Sequence, residues 1–92
     1  MSQAIWKYQL LTTGFQFIEM PRGAQILCVQ MQHDSPHIWA IVNPDEKKMR
    51  PRKINTYGTG QLMEGEILER YIGTYQLHSG ALVFHVFEVI EE

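Results

Sequence analysis

The stretch YIGTYQLHSGALVFHVFEVIEE, residues 71–92, decides how this chain is read. Apolar, β-branched and aromatic residues recur in it at the two-residue period of a strand, interrupted once by HSG at 78–80, and no apolar stripe recurs at helical spacing. The pattern predicts a hairpin with strands over 72–77 and 81–90. With Gly80 in the left-handed conformation of a three-residue loop, Leu77 pairs with Ala81 and Gly73 falls opposite His85, leaving room for the imidazole. His85 then shares a face with Ala81, Val83, Phe87 and Val89, while Leu82, Phe84, Val86 and Ile90 form the other. A strand apolar on both faces is either central to a two-layer structure or half covered by another chain.

The same alternation runs back toward the N-terminus. IWKYQLL (5–11) and FQFIEM (15–20), separated by TTG, read as hairpin one. PRGA (21–24) breaks the pattern, because Pro21 fixes its own φ and Gly23 permits a positive one. QILCVQMQ (25–32) and HIWAIV (37–42) read as hairpin two across HDSP, whose side chains bond readily to local backbone. NPDEKKMRPRK (43–53) has two prolines, no periodicity and heavy charge, and reads as an exposed loop. INTYGTG (54–60) is a short strand ending in glycines, and MEGEILERY (63–71) suggests one short helix near 64–70, weakened by Gly65. The expected fold is all-β or β-dominated: a single domain over 1–92, a small antiparallel barrel or sandwich built from three hairpins.

A chain of 92 residues accommodates one domain with its own core. Its 45% hydrophobic and 20% charged residues are the balance of a folding globular chain rather than a disordered one. A formal net charge of -2 provides no overall attraction to nucleic acid or an anionic membrane, so any polyanion contact has to be local. The one cysteine, Cys28, lies in the apolar run AQILCVQM and has no partner for an intramolecular disulfide, so a buried reduced thiol is expected, as fits a cytoplasmic protein. The N-terminal MSQAIWKYQL lacks the apolar core of a signal peptide, and no apolar run reaches the roughly 18 residues of a membrane helix. Neither secretion nor membrane insertion is expected.

Candidate sites follow from residue type and spacing. Lys47, Lys48, Arg50, Arg52 and Lys53 place five cations in seven residues, suited to an acidic protein surface or to phosphates, and are the candidate protein-binding set. Tyr57, Gly58, Thr59 and Gly60 bring two glycines and a hydroxyl together, so backbone N–H groups can approach an anion, although the lysine and hydroxyl pattern of a P-loop is lacking. With His85 they form the candidate ligand-binding set, and Trp6, Trp39, Tyr71 and Tyr75 are further stacking residues. For His85 itself, a core or interface histidine satisfied by backbone groups competes with a ligand-binding role. His33, Asp34 and His37 bracket one turn but are too few for a stable metal site, so no metal and no cofactor are expected. Glu64, Glu66, Glu69 and the EVIEE tail read as solvated surface. Only Glu88, Ser79 and His78 are near His85 in sequence, at no triad spacing, so no catalytic residue is assigned and an enzyme is not expected.

IWKYQL, IEMPRGAQILCVQMQ with IWAIV, and YGTG followed by YIGTYQLHSGALVFHVFE together resemble a family of small uncharacterised proteins encoded by bacteriophages and prophages. The resemblance covers nearly the whole chain; Gln61 stands where that family commonly carries a histidine after YGTG. It implies a compact phage or prophage protein working in the host cytoplasm. The expected function is that of an accessory protein, an anti-defence inhibitor that binds and blocks a host immune protein such as a CRISPR effector through a strand edge, the two-sided apolar hairpin or the charged loop. The alternatives are a sponge that sequesters a nucleotide immune signal, for which homo-oligomerisation would help build the pocket, and a small β-barrel binding single-stranded nucleic acid, against which the acidic balance argues.

Overall fold

The computed structural model describes residues 2–64 and 68–90. Seven strands form in chain order: β1 (Ala4–Gln9), β2 (Phe15–Pro21), β3 (Gln25–Gln32), β4 (Ser35–Val42), β5 (Met49–Gly58), β6 (Glu69–Leu77) and β7 (Leu82–Val89), with a 3₁₀ turn over His78–Gly80. They make two antiparallel sheets, one in the order β1-β4-β3 and the other β2-β5-β7-β6. The fold is all-β. Among the described residues no helix is long and apolar enough to cross a membrane.

Two of the three expected hairpins form. β3 and β4 pair across His33 and Asp34, both at positive φ, so the connection is a tight two-residue turn rather than the four residues HDSP. β6 and β7 pair as well, but through four residues, 78–81, because His78 and Ser79 adopt left-handed backbone beside Gly80. That extra residue moves the register by one: Leu77 pairs with Leu82, Thr74 lies opposite His85, and Gly73 lies opposite Val86. A bulge between Tyr71 and Gly73 shifts it again toward the open end of the hairpin.

Hairpin one does not form. β1 pairs with β4 and β2 with β5, so the TTG segment carries the chain from one sheet to the other. The ladder ends explain why: the Leu10 N–H donates to the Pro36 carbonyl (2.9 Å), extending the first sheet, and the Thr56 N–H donates to the Gly14 carbonyl (3.0 Å), extending the second. Leu10 is buried in the core between them. Gln16 holds the crossing closed by bonding both the N–H (3.1 Å) and the carbonyl (2.7 Å) of Leu11.

Two further expectations are corrected. The segment 43–53 is a loop only up to Lys48, since β5 begins at Met49 and pairs with β2 through Pro21↔Met49. Pro51 is tolerated because β5 pairs with β7 only from Ile54 onward, so its first residues have one unpaired edge. The short helix near 64–70 is replaced at its end by strand, as β6 starts at Glu69; positions 65–67 lie outside the described residues.

The sheets approach most closely where β3 crosses β6. The buried core is Leu10, Met20, Ala24, Val29, Ile38, Ala40, Val42, Ile54, Tyr75 and Val86. Gly73 makes the approach: a Cβ on it would lie 2.6 Å from Val29 Cγ1. Gly73 therefore leaves room for Val29 of the other sheet, not for the His85 imidazole. Gly73→Ala is expected to cost about 1–3 kcal/mol by overpacking. Combined with Val29→Ala, the costs should be clearly less than additive in urea unfolding, and strict additivity would place the contact elsewhere.

Candidate functional site

Alternation along the strands of the second sheet sends Ile54, Thr56, Val86 and Tyr75 into the core and their sequence neighbours outward. The register lines up those neighbours across all four strands: Phe15, Asn55, Phe87 and Tyr71 form one row, and Tyr57, His85 and Thr74 the next. The aromatic rings touch edge-on or tilted, with Tyr57 and Phe87 centroids at 5.7 Å and Tyr71 and Phe87 at 5.4 Å, geometries that the ring quadrupoles favour.

Above these rows the turn after β5 folds over the sheet and encloses a cleft of about 220 Å³, lined by Tyr57–Gln61, Met63, Tyr71, His85 and Phe87. All five residues of the candidate ligand-binding set thus meet in one place. Gly60 takes a positive φ (88°), which the turn requires. Gln61 locks it: its side-chain oxygen accepts the Gly58 N–H at 2.9 Å, and its own N–H donates to the Gly58 carbonyl at 3.0 Å.

His85 is half-buried, and both its ring nitrogens are satisfied by threonine hydroxyls rather than by backbone. Nε2 lies 2.7 Å from Thr59 Oγ1, and Nδ1 lies 3.0 Å from Thr74 Oγ1, which also bonds the Tyr71 hydroxyl at 2.5 Å. A hydroxyl beside a histidine is the start of a nucleophile–base arrangement. The third member here is another hydroxyl, however, and among the described residues no carboxylate reaches the ring. The Thr59 N–H is already bonded to the Val83 carbonyl (3.2 Å) and the Gly58 N–H to Gln61, so the turn does not present an adjacent pair of N–H donors for an oxyanion. The arrangement fixes the imidazole between two threonine hydroxyls.

Glu69, expected on a solvated helix, is instead a β6 residue at the edge of this face. Its carboxylate accepts from the Tyr57 hydroxyl and from Asn55 Nδ2, both at 2.8 Å. Burial, then the hydrogen bond and charge of Glu69, raise the Tyr57 phenol above its ordinary range. Asn55, Glu69, Thr74 and Phe87 are the site residues that sequence reasoning missed. All four follow by period-two counting once β6 begins at Glu69 and the hairpin register is corrected.

The five basic residues do not form one patch. Lys47 and Lys48 lie in the loop before β5, whereas Arg50, Arg52 and Lys53 are part of β5. The Lys53 ammonium sits on the outer face, 5.0 Å from the Phe15 ring and 6.0 Å from that of Phe17. Arg52 points to the inner face, where Nε donates to the buried Glu88 carboxylate at 2.5 Å and Nη1 to the Ala24 carbonyl at 2.8 Å. Glu88 thus pairs with Arg52 on the far side of the sheet from His85. Among the described residues no cluster of three or more His, Cys, Asp or Glu side chains could hold a metal ion. His37 Nδ1 is taken up by the Ser35 carbonyl at 3.0 Å.

Arg52→Leu leaves Glu88 buried without its partner and is expected to cost about 3–5 kcal/mol in urea unfolding; a cost under about 1 kcal/mol would mean that the pair is solvated. Raised phenol pKa values give a second test. The stability held by Tyr57 is fully present below about pH 10 and is lost as pH rises through its folded pKa. Burial raises Tyr8 and Tyr75 in the same direction. Melting temperature should therefore fall from pH 9 to pH 11, and fall less in Tyr57→Phe; an identical fall would remove Tyr57 from the effect.

No curated protein and no solved structure matches the chain. The family model described as a domain of unknown function, DUF7352, matches residues 1–92, and the chain belongs to that family.

Proposed function

We propose that this is a binding protein that docks on another protein through the outer face of the β2-β5-β7-β6 sheet and, in the phage or prophage setting implied by the sequence resemblance, blocks a host immune protein. The observation that carries this reading is an exposed aromatic face around a cleft whose lining contains no lysine or arginine. Tyr71, which lines the cleft, is 57% exposed, and Phe15 and Phe17 on β2 of the same sheet are 59% and 57% exposed. Aromatic residues around a small apolar recess are the composition of an interface centre, where one anchor side chain of the partner supplies much of the affinity. The fixed His85 and the tied Glu69 fit the same role, since pre-organised polar groups cost little to bury on binding.

The nucleotide sponge is a second reading, favoured by the stacking rings and the glycine turn over the cleft. Its weakness is electrostatic: with no cation in the lining, the phosphates of a nucleotide find no partner there.

Affinity purification from a lysate of bacteria carrying defence systems tests both. Wild type is expected to retain one host protein stoichiometrically, and Phe15→Ser combined with Tyr71→Ala to reduce its retention at least about tenfold. Lys47→Glu with Lys48→Glu should leave it unchanged. Loss with the lysine variant alone would move the contact to the 43–48 loop. A nucleotide extracted without a protein, together with a concentration-dependent rise in melting temperature, would establish the sponge instead.

A further inference from the structure

On the inner face of the same sheet, beyond the part that the other sheet covers, lies a second and larger cleft of about 300 Å³. We infer that it is a binding site for a phosphoryl group of a small anion. Its charged residues are Arg50 and Arg52 from β5, Arg70 from β6 and Glu88 from β7. Register brings them together: Glu88 pairs with Ile54 on one side and with Arg70 on the other, so strands distant in sequence deliver three guanidinium groups to one concavity.

The charge count is decisive. Glu88 is used by Arg52, and the ion pairs among the described residues are Arg22 with Glu46 and Arg52 with Glu88, so among the described residues no carboxylate forms an ion pair with Arg50 or Arg70. Lys53 lines the cleft, but its ammonium lies over Phe15 and Phe17 on the opposite face and is not counted. Among the described residues of the lining, three arginines less one carboxylate leave a charge of +2, in a chain whose net charge is -2. A phosphoryl dianion matches +2, whereas a single carboxylate leaves half of it uncompensated.

The donors are also pre-organised. Arg52 is held at Nε by Glu88 and at Nη1 by the Ala24 carbonyl, which leaves the remaining N–H groups of its planar fork for a ligand oxygen. Arg50 and Arg70 are exposed and line the same cleft. The volume fits a phosphate, a diphosphate or the phosphorylated end of a larger molecule. This site is separate from the aromatic face and does not rest on the docking reading.

Calorimetric titration of the full chain with sodium pyrophosphate, at a constant ionic strength of roughly 0.15 M, is the test. Saturable one-site binding is expected in wild type, weakened at least about tenfold in Arg50→Gln with Arg70→Gln, whose melting temperature should match wild type because both side chains are exposed. Arg50→Lys with Arg70→Lys keeps the charge and should recover only part of the affinity if the forked geometry matters. Titration with ADP separates the sources: binding as tight as that of pyrophosphate, lost in the glutamine variant, identifies the phosphorylated end of a larger molecule, and binding of pyrophosphate alone identifies a free anion. Absence of saturation by about 10 mM pyrophosphate, affinity unchanged in the glutamine variant, or binding of a single-stranded oligonucleotide without pyrophosphate overturns the inference.

Discussion

Val29 resting on the bare backbone of Gly73 sets the geometry of everything else in this molecule. The close approach there brings β3 onto β6, and it is along that crossing that the two sheets meet. A pair of sheets stacked squarely would cover the whole inner face of each. Here the body measures 42 × 34 × 15 Å, broad and only about two sheets thick, as expected when the sheets overlap along part of their width. One cleft opens on the inner face around Arg50, Arg52, Arg70 and Glu88, and the other on the outer face around Tyr57, His85 and Phe87.

The Arg52–Glu88 pair belongs to the same constraint. An inward-pointing carboxylate at the edge of an apolar core is costly unless a cation and further hydrogen bonds satisfy it. Arg52 does so while tying β5 to the turn before β3 through the Ala24 carbonyl. The apolar cluster ends and the polar cleft begins at this residue.

Much of the fold was legible because period two is a strong signal when both faces carry side chains of a definite kind. SPHIWAIV shows it cleanly, with Pro36, Ile38, Ala40 and Val42 buried in alternation. What failed were pairings, and they failed for identifiable reasons. A three-residue break such as TTG looks the same whether it reverses the chain or carries it to another sheet; the deciding contacts, Leu10 to Pro36 and Thr56 to Gly14, are remote in sequence. The register of β6 and β7 hung on one residue, because His78 and Ser79 adopt a positive φ that residues of their type reach less readily than glycine. The ligand-binding set was nevertheless found, since Tyr57–Gly60 and His85 were chosen by residue type and β5 and β7 happen to be neighbours. Glu69 was missed, and Phe87 was given no site role although spacing put it on the face of His85, because both roles depend on which strands pair.

The basic run shows most clearly how a strand changes the meaning of a sequence. In a loop, Lys47 to Lys53 would act as one cationic patch. In an extended strand, adjacent residues serve opposite surfaces, so Arg50 and Arg52 enter the inner cleft while Lys53 leans over Phe15 and Phe17 on the outer face. The neighbouring strands repeat the division: Arg70 and Glu88 point inward, and Tyr71 and Phe87 outward. Each of β5, β6 and β7 therefore contributes charge to one side and aromatic surface to the other, which lets a chain of 92 residues carry two chemically distinct surfaces on one sheet.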